Sequence, residues 1–346
     1  NRMSRLTRAG SLYAWRRIRQ LRARGLALRA DACGVLHLGR DATQEAKMRA
    51  VVERLALPPE HLRFVGVDEA AELAGCAVAN GGWWFAGSGW VQPPSLCAAS
   101  LEAAGGRVRG HFGQTVARLG YGGGAWHAHG PDGRTIASAP VAILAPGTGI
   151  AGFEQASLPV VSARGQVTHL ASAAGSAPRV VMCRGGYVSP AVDGLRCAGA
   201  TFAVDDPDPD LRPEDHAENL QRLAAMLPGF VAAVGADLDP ARLGGRVGFR
   251  PASPDRLPMI GALPLPAPAA LADATPARRL DELARHPGLY ALSGYGARGL
   301  VWSALAAELL ASELEGDPAP LERDLLDAID PARFVLRPAG KTAVRE

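Results

Sequence analysis

Lysine is almost missing from this chain. Of its 37 Lys and Arg residues only Lys47 and Lys341 are lysine, so arginine carries nearly all of the positive charge. No stretch approaches 18 apolar residues without a charge, which argues against a transmembrane helix. The five cysteines (Cys33, Cys76, Cys97, Cys183, Cys197) form no C-x-x-C pair and are odd in number, so free thiols in a reducing cytoplasm are the plainest account. There is no G-x-S-x-G elbow, and Gly340-Lys341-Thr342 lacks the upstream glycine of a P-loop. No metal site is expected: His127 and His129 share a strand face but have no third ligand spaced near them.

What is present is apolar enough to fold. Hydrophobic residues make up 48% and charged residues 21% of 346, which suits a globular chain with a sizeable core. A net charge of +3 implies no polyanion partner by itself. Its distribution is uneven, because residues 1–30 hold nine arginines and neither Asp nor Glu. That tract fits a phosphate-contacting helix, shares its composition with a mitochondrial-type presequence, and most plainly fits a solvated helix face. Asn1 in place of an initiating methionine suggests a piece of a longer chain.

Periodicity and punctuation predict helices over Ser4–Arg24, Thr43–Leu55, Pro94–Ala104, Glu214–Leu227 and Leu300–Leu314, the last closed by Gly316. Strands are expected at Val35–Leu38, Val141–Leu144 and Leu289–Leu292, with a β-rich region over about Pro159–Phe202. Gly81–Phe85 and Gly89–Val91 read as a Trp-rich hairpin around a glycine turn. Its aromatics Trp83, Trp84, Phe85 and Trp90 fit either stacking on an RNA base or core packing. Pro264–Ala277, rich in Pro and Ala, is the expected mobile loop.

Two segments match G-x-G-x-x-G: Gly147–Gly152 and Gly294–Gly299. Neither has the setting of an ADP-binding fingerprint, which needs a helix opening at the motif, a further parallel strand and an acid about 20 residues on. After Gly152 the chain meets Pro159 too soon, and the helix after Gly299 leads to an acidic tail. The second motif still fits a planar ligand lying close to the backbone before a helix N-terminus, and it equally fits a plain glycine turn. Between the motifs, three prolines stiffen Gly248–Gly261. A stiff segment suits an arginine that grips a carboxylate, with Arg250 as the candidate and Arg164 as a second; both also fit structural ion pairs.

Gly248-Phe249-Arg250-Pro251, Leu257-Pro258-Met259-Ile260-Gly261, Gly294-Tyr295-Gly296-Ala297-Arg298-Gly299-Leu300, Arg164-Gly165-Gln166 and Gly186-Tyr187-Val188 are the segments that carry a resemblance. Through them the chain resembles the D-amino-acid-oxidase and glycine-oxidase superfamily, and within it the oxidase domains of bifunctional tRNA 5-methylaminomethyl-2-thiouridine biosynthesis proteins. The resemblance runs from about Ser4 to Phe334. It implies an α/β fold with α+β elements: a D-amino-acid-oxidase-like FAD domain, incomplete at its N-terminus, with an inserted antiparallel-sheet substrate domain. The expected divisions are 1–80 (FAD-domain helices and substrate-domain lead-in), 81–152 (FAD-domain helix, strands and the Trp-rich hairpin) and 153–249 (substrate domain). Residues 250–335 return to the FAD domain, and 336–346 form a tail.

The resemblance further implies FAD as cofactor and tRNA as partner, with a methyltransferase domain normally on the same polypeptide, no membrane, and a cytoplasmic location. The implied reaction removes the carboxymethyl group from carboxymethylaminomethyluridine at the tRNA wobble position. The alternatives are a glycine- or sarcosine-type small-molecule oxidase and a non-catalytic fragment. Carried over by motif, Arg250 and Tyr187 are the catalytic pair. Ala145, Gly147, Gly294, Gly296, Ala297, Arg298, Gly299 and Leu300 contact the cofactor, and Arg164 and Gln166 contact substrate. The family's first βαβ unit, with its own G-x-G-x-x-G, is expected to precede Asn1.

Overall fold

The computed structural model describes residues 1–172, 176–230, 238–266 and 279–336. The chain opens with α1 (Arg2–Ala23), β1 (Ala30–Asp31), β2 (Val35–Leu38), α2 (Ala42–Leu55), β3 (Arg63–Val65), α3 (Val67–Ala74), β4 (Gly82–Phe85), β5 (Trp90–Val91) and α4 (Pro93–Ala104). It continues through β6 (Arg118–Gly122), β7 (Ala125–His129), β8 (Thr135–Ala139) and β9 (Ala142–Leu144) to a 3-10 turn, Gly147–Gly152. Next come β10 (Val161–Ala171), β11 (Val181–Cys183), β12 (Tyr187–Val188), β13 (Leu195–Gly199), β14 (Ala203–Val204) and α5 (Pro213–Met226). The last part holds β15 (Gly245–Ala252), β16 (Met259–Pro264), β17 (Arg285–Ser293), a 3-10 turn Gly296–Arg298, α6 (Gly299–Glu315), α7 (Arg323–Ile329) and α8 (Arg333–Leu336).

The predicted helices form within two residues of their expected ends. Asp41 caps α2, accepting from Gln44 N at 2.8 Å, and Gly316 ends α6 in the left-handed region at φ 74°. The expected loop Pro264–Ala277 lies mostly outside the described residues, as does the 336–346 tail beyond Leu336.

Among the described residues the largest sheet runs β14-β10-β13-β12-β11-β2-β4-β3, with β15 paired to β10. All of its pairings are antiparallel except β11 with β2. One face is closed by α3 and α5: Leu36, Leu38, Met182, Val188, Ala198 and Leu170 pack with Ala70, Leu223 and Met226. A second, three-stranded sheet has the order β16-β17-β9, in which β17 and β9 are parallel. α6 lies on it through Trp302, Leu305 and Leu309 with Ile260.

The Trp-rich segments do not form the expected hairpin. β4 pairs with β2 and β3 in the large sheet, while β5 pairs with β1 in a separate two-stranded ribbon. The glycines serve close backbone approach instead: a Cβ on Gly89 would stand 1.9 Å from the Asp31 carbonyl oxygen, and one on Gly34 would enter the Trp84 ring. Trp84 is buried in the core, and Trp83 donates Nε1–H to Met48 O at 2.9 Å.

α1 crosses α6 at Gly10, where a Cβ would stand 2.6 Å from Val301 O and 3.0 Å from the Trp302 ring. Two effects oppose each other in Gly10→Ala. Helix propensity favours alanine by about 0.5–1 kcal/mol, and overpacking costs about 1–3 kcal/mol. The clash is with backbone, so we expect the cost to win. Urea titration should show a destabilisation of about 1–2 kcal/mol, and a stabilised variant would show that α1 and α6 separate easily.

Candidate active site

The antiparallel register of β10 and β15 decides which side chains meet. Ala163 pairs with Arg250, Arg164 with Phe249 and Gly165 with Gly248. Side chains alternate across a strand, so Ala163, Gly165 and Val167 share Arg250's face, whereas Arg164, Gln166 and Thr168 point to the other. Gly199 pairs with both Val167 and Tyr187, which brings Tyr187 to the same face as Arg250.

On that face the Arg250 guanidinium lies over Gly165. A Cβ there would stand 2.1 Å from Nη1 and 2.6 Å from Cζ, so the missing side chain makes room for the cation. Nη1 donates to Thr201 O at 3.4 Å. The Tyr187 phenol is pushed up to about 12 by burial, with Arg250's positive charge pulling the other way. At neutral pH it is therefore a neutral O–H donor beside a guanidinium, a pairing that suits a carboxylate.

The opposite face corrects two expected substrate contacts. Arg164 is fully buried and spent on the protein itself: Nη1 reaches Asp215 Oδ2 at 2.5 Å, and Nε donates to Asp208 O at 2.7 Å. Gln166, equally buried, donates Nε2–H to Arg212 O and accepts Arg212 N–H, both at 2.8 Å. Thr168 and Asn219 continue this network at 3.1 Å between Asn219 Nδ2 and Thr168 Oγ1. These groups pin α5 and the 206–212 segment beneath the sheet. Of the tripeptide Arg164-Gly165-Gln166, only the glycine touches the site, and sequence reasoning missed it because a glycine advertises no chemistry.

The second pole lies at the carboxyl ends of the parallel strands β9 and β17, where open α/β sheets place their ligands. Leu144 pairs with Ala291, so Ala145–Gly147 and Ser293–Gly296 leave the sheet side by side. Gly147 (φ 63°) and Gly296 (φ 52°) both adopt conformations that L side chains disfavour, and a Cβ on either would meet no protein atom within 4 Å. Gly294 (φ 71°) instead packs inward, with a Cβ 2.9 Å from Met259. α6 opens directly after, with no side-chain cap and no acid in its first turn, so neither takes up its free N–H groups. Ser293 Oγ is buried with no hydrogen-bond partner among the described residues.

Ala297, Gly299 and Leu300 continue this turn into α6, and Arg298 stacks its guanidinium 5.7 Å above Trp302. Burial, with Arg256's charge adding to it, lowers Arg298's pKa below the usual arginine value. A planar, electron-rich group fits this cradle: open glycine backbone beneath it and a helix N-terminus at its edge. The two poles are joined by β15. Ala252, two residues past Arg250, bridges to Tyr295 within the glycine turn.

His127 Nδ1 lies 2.7 Å from Ser138 Oγ and Nε2 lies 3.2 Å from Gly122 O.

This geometry separates two substitutions that are adjacent in sequence. Gly165→Ala should displace Arg250 and weaken binding of a small carboxylate by roughly 10- to 100-fold, the worth of a charged hydrogen bond. Arg164→Ala should cost about 3–5 kcal/mol of stability, because it strands Asp215. Calorimetric titration with a carboxylate, beside urea denaturation, distinguishes the two; the reverse pattern would return Arg164 to the site. Because Tyr187 holds its proton to about 12, that affinity should not fall through phenol ionisation between roughly pH 8 and 10.

A family model described as FAD dependent oxidoreductase (DAO) matches residues 2–313. The chain is 66% identical over 344 residues to the tRNA 5-methylaminomethyl-2-thiouridine biosynthesis bifunctional protein MnmC of Azoarcus sp. strain BH72. That match covers 98% of this chain and 52% of the relative, so the chain spans about half the length of the curated proteins it matches. Among solved structures it is similar to iminodiacetate oxidase from Chelativorans sp. BNC1, with TM-score 0.73, 26% identity, and coverage of 94% of this chain and 83% of that one. Glycine oxidase from Geobacillus kaustophilus shares the fold at TM-score 0.70 and 19% identity, over 91% of this chain and 79% of that one. With the family model matching residues 2–313, the chain belongs to the DAO family of FAD-dependent oxidoreductases.

Proposed function

We propose that this chain removes the carboxymethyl group from carboxymethylaminomethyl-(2-thio)uridine at the tRNA wobble position, leaving the aminomethyl form. The supporting observation is the Arg250–Tyr187 face, floored by Gly165 and joined through Ala252 to the glycine cradle. The reading also draws on relatives named for tRNA 5-methylaminomethyl-2-thiouridine biosynthesis.

The substrate's reacting part is an N-substituted glycine. Its carboxylate suits the Arg250 guanidinium and the neutral Tyr187 O–H. Two residues of strand separate Arg250 from Ala252, about 7 Å at the usual rise per residue. Anchoring the carboxylate at Arg250 therefore aims the adjoining methylene and nitrogen along β15 towards the cradle. Ala145, Gly147, Gly294, Gly296, Ala297, Arg298, Gly299 and Leu300 are the residues that would hold FAD, which supplies a two-electron acceptor when bound. Oxidation removes two electrons and two protons across the methylene carbon and its nitrogen, giving an imine. Water adds to it, and the C–N bond breaks to give the primary amine and glyoxylate. The protein's own contribution is orientation, and no acid–base dyad is required of it.

The relatives are bifunctional, and a methyltransferase domain on the same polypeptide is the partner this reading assigns. We place the reaction in the cytoplasm, in keeping with five free cysteines; among the described residues no helix is long and apolar enough to cross a membrane. Likeness to iminodiacetate oxidase favours a second reading, oxidation of a small N-carboxymethyl amine at the same site. Turnover of carboxymethylaminomethyl-tRNA compared with iminodiacetate separates the two. Under either reading, Arg250→Ala should raise KM roughly 100-fold or more, the scale of a bidentate charged pair. Flavin absorbance should be unchanged, and a colourless variant instead would give Arg250 a structural role.

A further inference from the structure

Residues 1–30 contain no acid, and neither do residues 103–131, which hold Arg107, Arg109, His111 and Arg118. They lie far apart in sequence, but the fold joins them. The C-terminal half of α1 packs through Ile18 and Leu21 on Ala99 and Ala103 of α4, and Arg24 Nη2 donates to Ala103 O at 2.9 Å. The 105–118 segment leaves α4 at that point, and every residue of it is exposed.

At 100° per residue, Arg5, Arg8, Leu12, Arg16 and Arg19 fall on one side of α1, opposite the buried Leu6, Gly10 and Leu21. Arg5 is neutralised by Glu322 and Asp324. Arg8, Arg16 and Arg19 are exposed and have no ion pair among the described residues. From Arg8 to Arg19 the helix rises about 16 Å. In the adjoining segment, Phe112 is 82% exposed among Arg107, Arg109 and His111. Uncompensated arginines combined with an exposed aromatic ring match a phosphate backbone with unstacked bases. A membrane-surface helix would need a broad apolar face, and on this side of α1 the large apolar residue is Leu12.

We propose that the outer face of α1 (Arg8, Arg16, Arg19) and the 105–118 segment (Arg107, Arg109, Phe112) form one continuous RNA-binding surface. On its opposite side α1 packs on α6, where Gly10 rests on Val301 and Trp302 in the first turn, next to the glycine cradle. The inference rests on the proposed tRNA substrate and gives that substrate a docking track outside the carboxylate pocket.

The test is titration of this chain with an unmodified tRNA transcript at several salt concentrations. Arg8→Gln/Arg16→Gln/Arg19→Gln and Arg107→Gln/Arg109→Gln should each lower affinity about 10-fold or more at low salt. Each should also flatten the salt dependence, by roughly 0.7–0.9 in logarithmic slope for every phosphate left without its arginine. Arg323→Gln, on α7, should change neither, and thermal melts should match wild type because the substituted side chains are exposed. If wild type binds and both multiple variants bind equally well, the surface is wrong while the tRNA reading stands. If the variants keep RNA affinity but no longer associate with the relatives' N-terminal half, the face is a domain interface and the proposal fails. If wild type shows no binding at low salt, the surface and the tRNA reading fall together.

Discussion

The register between β10 and β15 is the constraint on which the site depends. With Ala163 opposite Arg250, strand alternation sends one set of side chains to each face. One face receives Arg164, Gln166 and Thr168, which bury their polar groups against α5 and the 206–212 segment. The other receives Arg250 above Gly165, with Tyr187 beside it. A slip of one residue would exchange the faces, burying the pocket's cation and exposing the polar network. The buried network is committed to protein partners through Arg164, and this makes such a slip costly.

The same strand sets the distance between the proposed carboxylate site and the proposed cofactor cradle. β15 belongs to the large sheet through β10, and it ends at Ala252 against Tyr295, which precedes α6. Arg250 and the glycine cradle are thereby fixed to one rigid piece of backbone rather than to separate loops. Such a link suits a reaction in which the protein's main task is to hold a C–H bond in place. The cradle has its own logic: two strands run parallel, two glycine turns leave their carboxyl ends together, and a helix begins there without an acid or a side-chain cap.

Much of this is legible in the sequence, for definite reasons. The five longer helices are readable to within two residues because their apolar spacing coincides with Pro, Gly and Asp punctuation, as at Asp41, Pro213 and Gly316, whereas the short α3, α7 and α8 escape that reading. Gly294–Leu300 stands out as a glycine turn set between a strand and a helix, although as sequence it equally fits a plain turn. The Trp-rich hairpin misleads because Gly34 and Gly89 mark close crossings between strands, and a glycine looks the same in a turn and at a crossing. Arg164 misleads for a different reason. An arginine's charge is visible in sequence, but the face it occupies depends on a register fixed by residues about 80 positions away. The role of Gly165 has no local signal and emerges only with the guanidinium lying over it.

We propose that a substrate carboxylate sits on the Gly165 face between Arg250 and Tyr187, with its amine directed along β15 to the cradle. The most direct measurement is a crystal structure of the FAD-loaded protein with a bound N-substituted glycine. Carboxylate oxygens are expected within hydrogen-bond distance of the Arg250 guanidinium and the Tyr187 hydroxyl, with the methylene over the flavin at Gly296. A carboxylate held elsewhere, with Arg250 turned away from Gly165, would contradict this placement.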